Sequence, residues 1–364
     1  MKHTDERSRP APPPSAVEPV RLVDRFGRRV EHPLFTAPDS TRLAGLHRAM
    51  VIGRRFNQQA SALARQGRLA VYPSSTGQEA SQVGGVLALS ERDWLFPSYR
   101  DSVALVAHGV DPAETLTLFR GGWHAGYDPH RYRCAPQCTP LATNASHAVG
   151  LTYAARSRGR DVAALALMGD GATSEGDAHE AYDFAAVWNA PVVFLVRNDH
   201  WAVSAPLHQG TATQAHRDLG HGMKGYRVDG GDAAAVYAVV SRALAEARAG
   251  GGPSVVEAVA YREGPGADAP RRHPDGTEAE RWRERDPITR LEALLREECL
   301  LGDPWETERA LAGFAAEAEG TASVVRMALE DGLGADALFR DAYSTIPPLL
   351  ERRRRELADE LREV

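Results

Sequence analysis

Residues 162–206, VAALALMGDGATSEGDAHEAYDFAAVWNAPVVFLVRNDHWAVSAP, restrict what this chain can fold into more than any other stretch. Seven apolar residues, Val162 to Met168, are too few for a membrane span and suit a strand covered on both faces of a parallel sheet. Gly169 and Gly171 then bracket Asp170. Glu175 and Asp177 stand at the head of a helical pattern whose apolar positions are Ala181, Phe184, Ala185 and Trp188. A second apolar run, Pro191 to Val196, carries Arg197, Asn198 and Asp199 to the end of the next strand. The unit reads strand, loop, helix, strand. In such a unit the two strand ends lie side by side, so Asp170 and Asp199 converge although 29 residues separate them.

Two hard oxygen donors beside glycine-exposed amides and an arginine suit a magnesium ion that holds a diphosphate. The amides, the helix N-terminus and Arg197 then meet the phosphate oxygens. A dinucleotide fold is the rival, because G-x-G after a strand opens its fingerprint and Asp199 stands where ribose hydroxyls are bound. Against it, Ser174 occupies the place of the third glycine, and Asp170 sets a carboxylate against the pyrophosphate. A plain Gly-Asp-Gly turn ending a strand is the third reading.

The remainder of the chain sets broader limits. Its 364 residues, 43% hydrophobic and 25% charged, are enough for a large core. A net charge of -6 gives no reason to invoke nucleic acid, and no apolar run reaches the length a bilayer requires. The N-terminal MKHTDERSRPAPPPSAVEP is Pro-rich and lacks the apolar centre of a secretory signal, and Asp5, Glu6 and Glu18 disfavour a transit peptide. Residues 1–38 therefore read as a disordered or extended arm. Three cysteines point to a reducing compartment, and the expected location is cytoplasmic. His130, Cys134 and Cys138 are spaced for zinc, but Pro136 interrupts the helix that would align them and a fourth ligand is lacking.

Ser40 to Gln66 reads as an amphipathic helix with Leu43, Leu46, Met50 and Phe56 on one face, closed by Gly67. In SSTGQEA, Thr76 three residues before Glu79 predicts a capping box. Tyr99 and Arg100, at the end of WLFPSYRD, are suited to gripping phosphate, or else form a surface pair. Asp111 and Pro112 open a helix that ends in a Gly-rich basic loop, where His124 and His130 are candidate proton carriers by type. A helix over 233–249 and a strand over 254–261 continue the alternation, which extends the α/β domain over 39–285. From Asp286-Pro287 the chain turns helical to its end at 364, with Arg352 to Arg355 as a solvated face.

Gly-Asp-Gly followed by an Asn-containing strand end resembles the thiamin diphosphate motif, and GDGATSEGDAHEAYDFAAVWNAPVVFLVRND resembles the E1 alpha subunits of 2-oxo acid dehydrogenase complexes, the branched-chain type above all. The similarity runs from about Arg54 onward and includes QGRLAVYPSSTGQEA, WLFPSYRD, CTPLATNASHAVG, YRVDGGDAAAVY and DPITRLE. It implies a thiamin diphosphate-binding α/β fold, a mostly parallel sheet flanked by helices with a helical C-terminal region. It also implies decarboxylation of a branched-chain 2-oxo acid and acylation of a lipoyl group of E2, with thiamin diphosphate and Mg2+ as cofactors.

By the same resemblance, Tyr99, Arg100 and Arg197 meet the diphosphate, while Thr139, Leu141, Gly169, Gly171 and Ala172 line the cofactor. Asp170, Asp199 and the backbone carbonyl of Trp201 become the metal ligands. Cys138, Pro140, Thr143 and Asn144 fall on a structural potassium site, where Cys138 replaces a serine and is a poor ligand for a hard cation, which puts that K+ in doubt. Two further departures stand out. Asp199 replaces the second asparagine of the family signature, and Gly266 stands where the family carries a histidine that reaches the cofactor, leaving His273 in the same loop as a weak substitute. The glutamate that activates the aminopyrimidine comes from a separate beta subunit, so the resemblance implies an alpha2beta2 assembly whose alpha chain is inactive alone. The altered loop also keeps open a thiamin-dependent carboligase or starter-unit enzyme, or a scaffold for the beta subunit.

Overall fold

The computed structural model describes residues 18–120, 126–199, 222–260, 286–328, 339 and 343–360, with the backbone of 201–202 and 205–206. Val192–Asn198 is buried at every position because it forms β3, the central strand of a five-stranded parallel sheet. Its neighbours are β2 (Ala164–Gly169) and β7 (Ser254–Val259). Outside them lie β1 (Trp94–Phe96), against β2, and β6 (Lys224–Asp229), against β7. β4 (Trp201–Ala202) and β5 (Ala205–Pro206) form a separate antiparallel pair.

Strands covered on both faces have no polar side to show, which is why β2 and β3 read as continuous apolar runs. On one face Leu165, Leu167, Val193, Leu195, Val256 and Ala258 join the larger core. That core is covered by α1 (Ser40–Arg65), α2 (Glu79–Val86), α3 (Ser102–His108) and α8 (Ala233–Glu246). On the other face Ala164, Ala166, Met168, Val192, Phe194 and Val196 pack under α6 (Thr143–Ser157) and α7 (Gly176–Val187). Each fully buried Leu, Val or Phe stabilises this arrangement by about 1.5–3 kcal/mol. The small helices α4 (Pro112–Thr115) and α5 (Pro129–Tyr132) punctuate the connection from β1 to β2. Helices α9 (Pro287–Glu297), α10 (Pro304–Ala328) and α11 (Pro348–Glu360) follow, and α10 packs along α1.

The helix α7 links β2 to β3 on one face, whereas α8 links β6 to β7 on the other. The winding therefore reverses between β3 and β7. In open parallel sheets the crevice for a ligand opens at such a reversal, beyond the carboxyl ends of the strands. Asp199 follows β3 at that place.

Residues 20–30, within the expected arm, lie along the sheet edge. Val20 bridges to Val228, and Val20, Leu22 and Val23 are buried in the larger core. Asp232 caps α8 through Ala235 N and accepts from Leu22 N and Val23 N at 2.8 and 2.7 Å, which pins this segment.

Two local expectations are corrected. The capping box does not form: α2 starts at Glu79 with no side-chain cap, Thr76 Oγ1 accepts from Asn57 Nδ2 at 2.9 Å, and Glu79 turns to Arg54. A guanidinium fork on α1 is a stronger partner for a buried carboxylate than a neutral amide. On α7 the buried face is Ala178, Ala181, Tyr182 and Ala185, while Phe184 and Trp188 stand out at 45% and 37% exposure and stack on each other. Small residues at the centre of that face let α7 lie close to α6, which leaves the bulkier rings at its flank and end. The long helix itself runs as expected, from an Asp39 cap to Gly67 at φ +73°.

Candidate functional site

β2 and β3 pair with Gly169 opposite Arg197. Asp170 and Asn198 therefore come level, and Asp199 projects one residue further, on strands about 4.8 Å apart. Both carboxylates are largely enclosed, Asp170 at 5% and Asp199 at 8% exposure. Asp170 opens a short 3-10 turn, Asp170–Ser174; its Oδ1 accepts from Gly171 N at 2.9 Å and its carbonyl from Thr173 Oγ1 at 2.7 Å. The backbone of Trp201 belongs to β4, which packs against this turn. Among the described residues, a Cβ built on Gly169 or Gly171 would meet nothing within 4 Å. Ala172 is buried.

The end of β1 supplies the neighbouring wall. Ser98 bridges to Cys138 and Tyr99 N donates to Cys138 O at 2.9 Å, which lays Thr139 beside the Tyr99–Arg100 turn. The Arg100 guanidinium stacks over the Tyr99 ring and donates to Ser74 O at 3.2 Å. Gln82 clasps the turn from α2, donating to Arg100 O and accepting from Ala104 N. Thr139 is exposed and Leu141 packs against the α6–α7 core.

Arg197 has a partner that the sequence did not announce. It is buried and lies against Asp101, on the face away from α7. Asn198 turns the opposite way and donates to Glu257 Oε1 at 2.7 Å, with Arg227 Nε 3.4 Å from Glu257 Oε2. Sequence reading named neither Asp101 nor Glu257. The one signal for Asp101 was an acid placed directly after Tyr-Arg.

Asn144 uses its amide nitrogen on Phe96 O and Leu167 O, tying the ends of β1 and β2 together. Cys138 Sγ lies 3.3 Å from Pro140 O, and burial raises its pKa above the ordinary thiol value. Cys134 and Cys138 both sit in extended chain beside β1; His130, in α5, stacks edge-on to Trp94, and the Cys134 thiol, raised to about 12 by burial, meets the Tyr127 hydroxyl. Among the described residues no three or more His, Cys, Asp or Glu side chains form a metal-binding cluster. His124, Gly266 and His273 lie outside the described residues.

Residues 47–311 match the family described as "Dehydrogenase E1 component". The chain belongs to this dehydrogenase E1 component family. This E1 chain is 41% identical over 356 residues, 95% of either chain, to the 3-methyl-2-oxobutanoate dehydrogenase subunit alpha of Mycobacterium tuberculosis. It is 33% identical over 299 residues, 81% of either chain, to the pyruvate dehydrogenase E1 component subunit alpha of Staphylococcus aureus. The matched span includes the whole parallel sheet and every site residue described above. No described helix of this E1 chain is long and apolar enough to cross a membrane.

Proposed function

We propose that this chain is the alpha subunit of a 2-oxo acid dehydrogenase E1 that acts on a branched-chain 2-oxo acid and passes the acyl group to a lipoyl arm of E2. The observation that carries the cofactor assignment is the enclosed pair Asp170 and Asp199 at adjacent strand ends, beside glycines where an added Cβ would meet no described residue within 4 Å. The donor set fits: two carboxylates and the Trp201 carbonyl are hard oxygen ligands for Mg2+, which fills its remaining positions with phosphate oxygens and water. Buried Arg197 Nε has no hydrogen-bond acceptor among the described residues, so a phosphate oxygen would satisfy it.

Thiamin diphosphate, when bound, supplies the nucleophile for the 2-oxo acid and takes up the electron pair left by decarboxylation. The residues of this chain bind and orient. Asp170 and Asp199 hold the cation, Arg100 and Arg197 neutralise phosphate charge, and the Tyr99 hydroxyl donates from the β1 side. Leu141 offers an apolar surface on the side of the crevice nearer α6. The family resemblance supports a beta chain supplying the glutamate that activates the aminopyrimidine and completing the site in an alpha2beta2 assembly.

Co-expression with candidate beta chains, followed by a panel of 2-oxo acids and a lipoyl acceptor, tests this. Acyl transfer that depends on thiamin diphosphate, Mg2+ and the beta chain is expected, fastest with branched substrates. An assembled complex that binds no thiamin diphosphate in calorimetry, or an alpha chain fully active alone, refutes it.

A further inference from the structure

Arg197 leaves β3 on the same face as Val193 and Leu195, towards α2 and α3. Its partner Asp101 is two strands away, at the end of the turn after β1, with β2 lying between them. Both side chains are buried, at 2% and 0% exposure. The second carboxylate oxygen of Asp101 accepts from Ser98 N at 2.7 Å and Ser98 Oγ at 2.6 Å, which closes the turn that displays Tyr99 and Arg100. One carboxylate therefore holds Arg197 with one oxygen and the Tyr99–Arg100 turn with the other.

A buried guanidinium keeps its charge, so burying it without a facing anion is costly. Asp101 provides that anion and restricts a side chain that would otherwise lose much rotamer freedom on meeting a ligand. It does not exhaust the donors: Arg carries five N–H groups, and Nε is without an acceptor among the described residues. Arg197 is thus oriented and still able to take a second anion.

We infer that Asp101 is a positioning residue that sets Arg197 and the Tyr99–Arg100 turn in fixed relation for the diphosphate end of the cofactor, an inference that rests on the cofactor reading above. It acts through Arg197 and the turn, without touching the ligand. The competing role is a tether for the start of α3, where Asp101 occupies the cap position without making a side-chain cap bond.

The test is calorimetric titration of the full chain, co-expressed with a beta chain, with thiamin diphosphate and with thiamin monophosphate in magnesium buffer. Asp101→Asn keeps an oxygen for Ser98 and removes the charge. It is expected to weaken thiamin diphosphate binding about tenfold and thiamin monophosphate binding less than about threefold, alongside a lowered urea midpoint because buried Arg197 loses its facing anion. Asp101→Glu restores part of the loss. In an Arg197→Ala background Asp101→Asn adds nothing further. Equal losses for the two ligands, or a full extra loss in that background, overturn the inference and leave Asp101 as a tether. If Asp101→Asn does not fold, Asp101→Glu carries the same comparison, selective loss supporting the inference and equal loss refuting it. Arg197→Ala with normal diphosphate binding refutes the role of Arg197 and the inference together, whereas a wild-type complex that binds neither ligand refutes the cofactor reading itself.

Discussion

Replacing Arg54 with alanine is expected to destabilise the fold by about 4 kcal/mol, because it strands a charged carboxylate in the core. Glu79 is completely buried. Arg54 grips it as a fork, Nε on Oε1 and Nη2 on Oε2 at 2.9 Å, and that carboxylate also accepts from Gly77 N at 2.9 Å. The same Nη2 donates to Asp286 at 2.8 Å, so one side chain joins α1 to the starts of α2 and α9. Glu79 and Asp286 together raise the Arg54 pKa above its ordinary value despite burial, so Arg54 keeps its charge at neutral pH. Two opposing effects decide the magnitude. Desolvating both ions costs nearly what their attraction returns, so the intact pair adds little net stability, whereas removing one partner costs about 3–5 kcal/mol. Arg54→Lys keeps the charge and loses the fork, and is expected to cost about 1–2 kcal/mol. Arg54→Met with Glu79→Met recovers most of the single-variant loss. Urea unfolding followed by tryptophan fluorescence gives these differences at pH 7. A loss below about 1 kcal/mol for Arg54→Ala, or additive losses in the double variant, would falsify the buried-pair account.

Asp170→Asn is expected to weaken magnesium-dependent thiamin diphosphate binding at least about a hundredfold, while Asp199→Asn, which installs the amide found in the resembled family, changes it less than about tenfold; calorimetry distinguishes them. Gly27→Ala should cost about 2–3 kcal/mol in urea unfolding, because Gly27 sits at φ +83° and an added Cβ would lie 2.6 Å from the Ala293 Cβ. Phe184→Ser should cost less than about 1 kcal/mol, since that ring is half exposed; a large loss would show that α7 buries it. Glu246 is held down to about 2 by Arg242, Lys224 and Tyr226. A depressed carboxylate contributes stability above its unfolded value near 4.5 and loses it as pH falls towards about 2, so the gap between wild type and Glu246→Gln should narrow from pH 6 to pH 3. That gap is small, because the side chain is 28% exposed.

The strand–turn–helix–strand unit was legible because two-face burial demands unbroken apolar runs, and Gly169 and Asn198 end those runs visibly. That Asp170 and Asp199 stand at neighbouring strand ends followed from parallel pairing alone. Partner choice was not legible. Thr76 and Glu79 have the spacing of a capping box, yet a cation 25 residues earlier in the chain outcompetes the cap. Phe184 has helical periodicity, but periodicity says nothing of how near the next layer lies. The Asp101–Arg197 pair spans 96 residues and crosses β2, so no local pattern announces it.

In the proposed site, the alternation of β3 explains why residue 199 rather than 197 or 198 is assigned to the cation. Successive side chains on a strand point to opposite faces. Arg197 goes to one face and is fixed by Asp101 from the β1 side; Asn198 goes to the other and is fixed by Glu257 on β7. The strand end is thereby clamped from both sides, and the first residue beyond the last ladder pair, Asn198 with Val259, is Asp199. A carboxylate at that position inherits the rigidity of two buried polar contacts without spending its own oxygens on them. If Glu257→Gln loosens magnesium-dependent binding of thiamin diphosphate while Asp199 itself is intact, the clamp is what sets the ligand geometry. If binding is unchanged in a folded Glu257→Gln variant, the β7 contact serves the sheet alone.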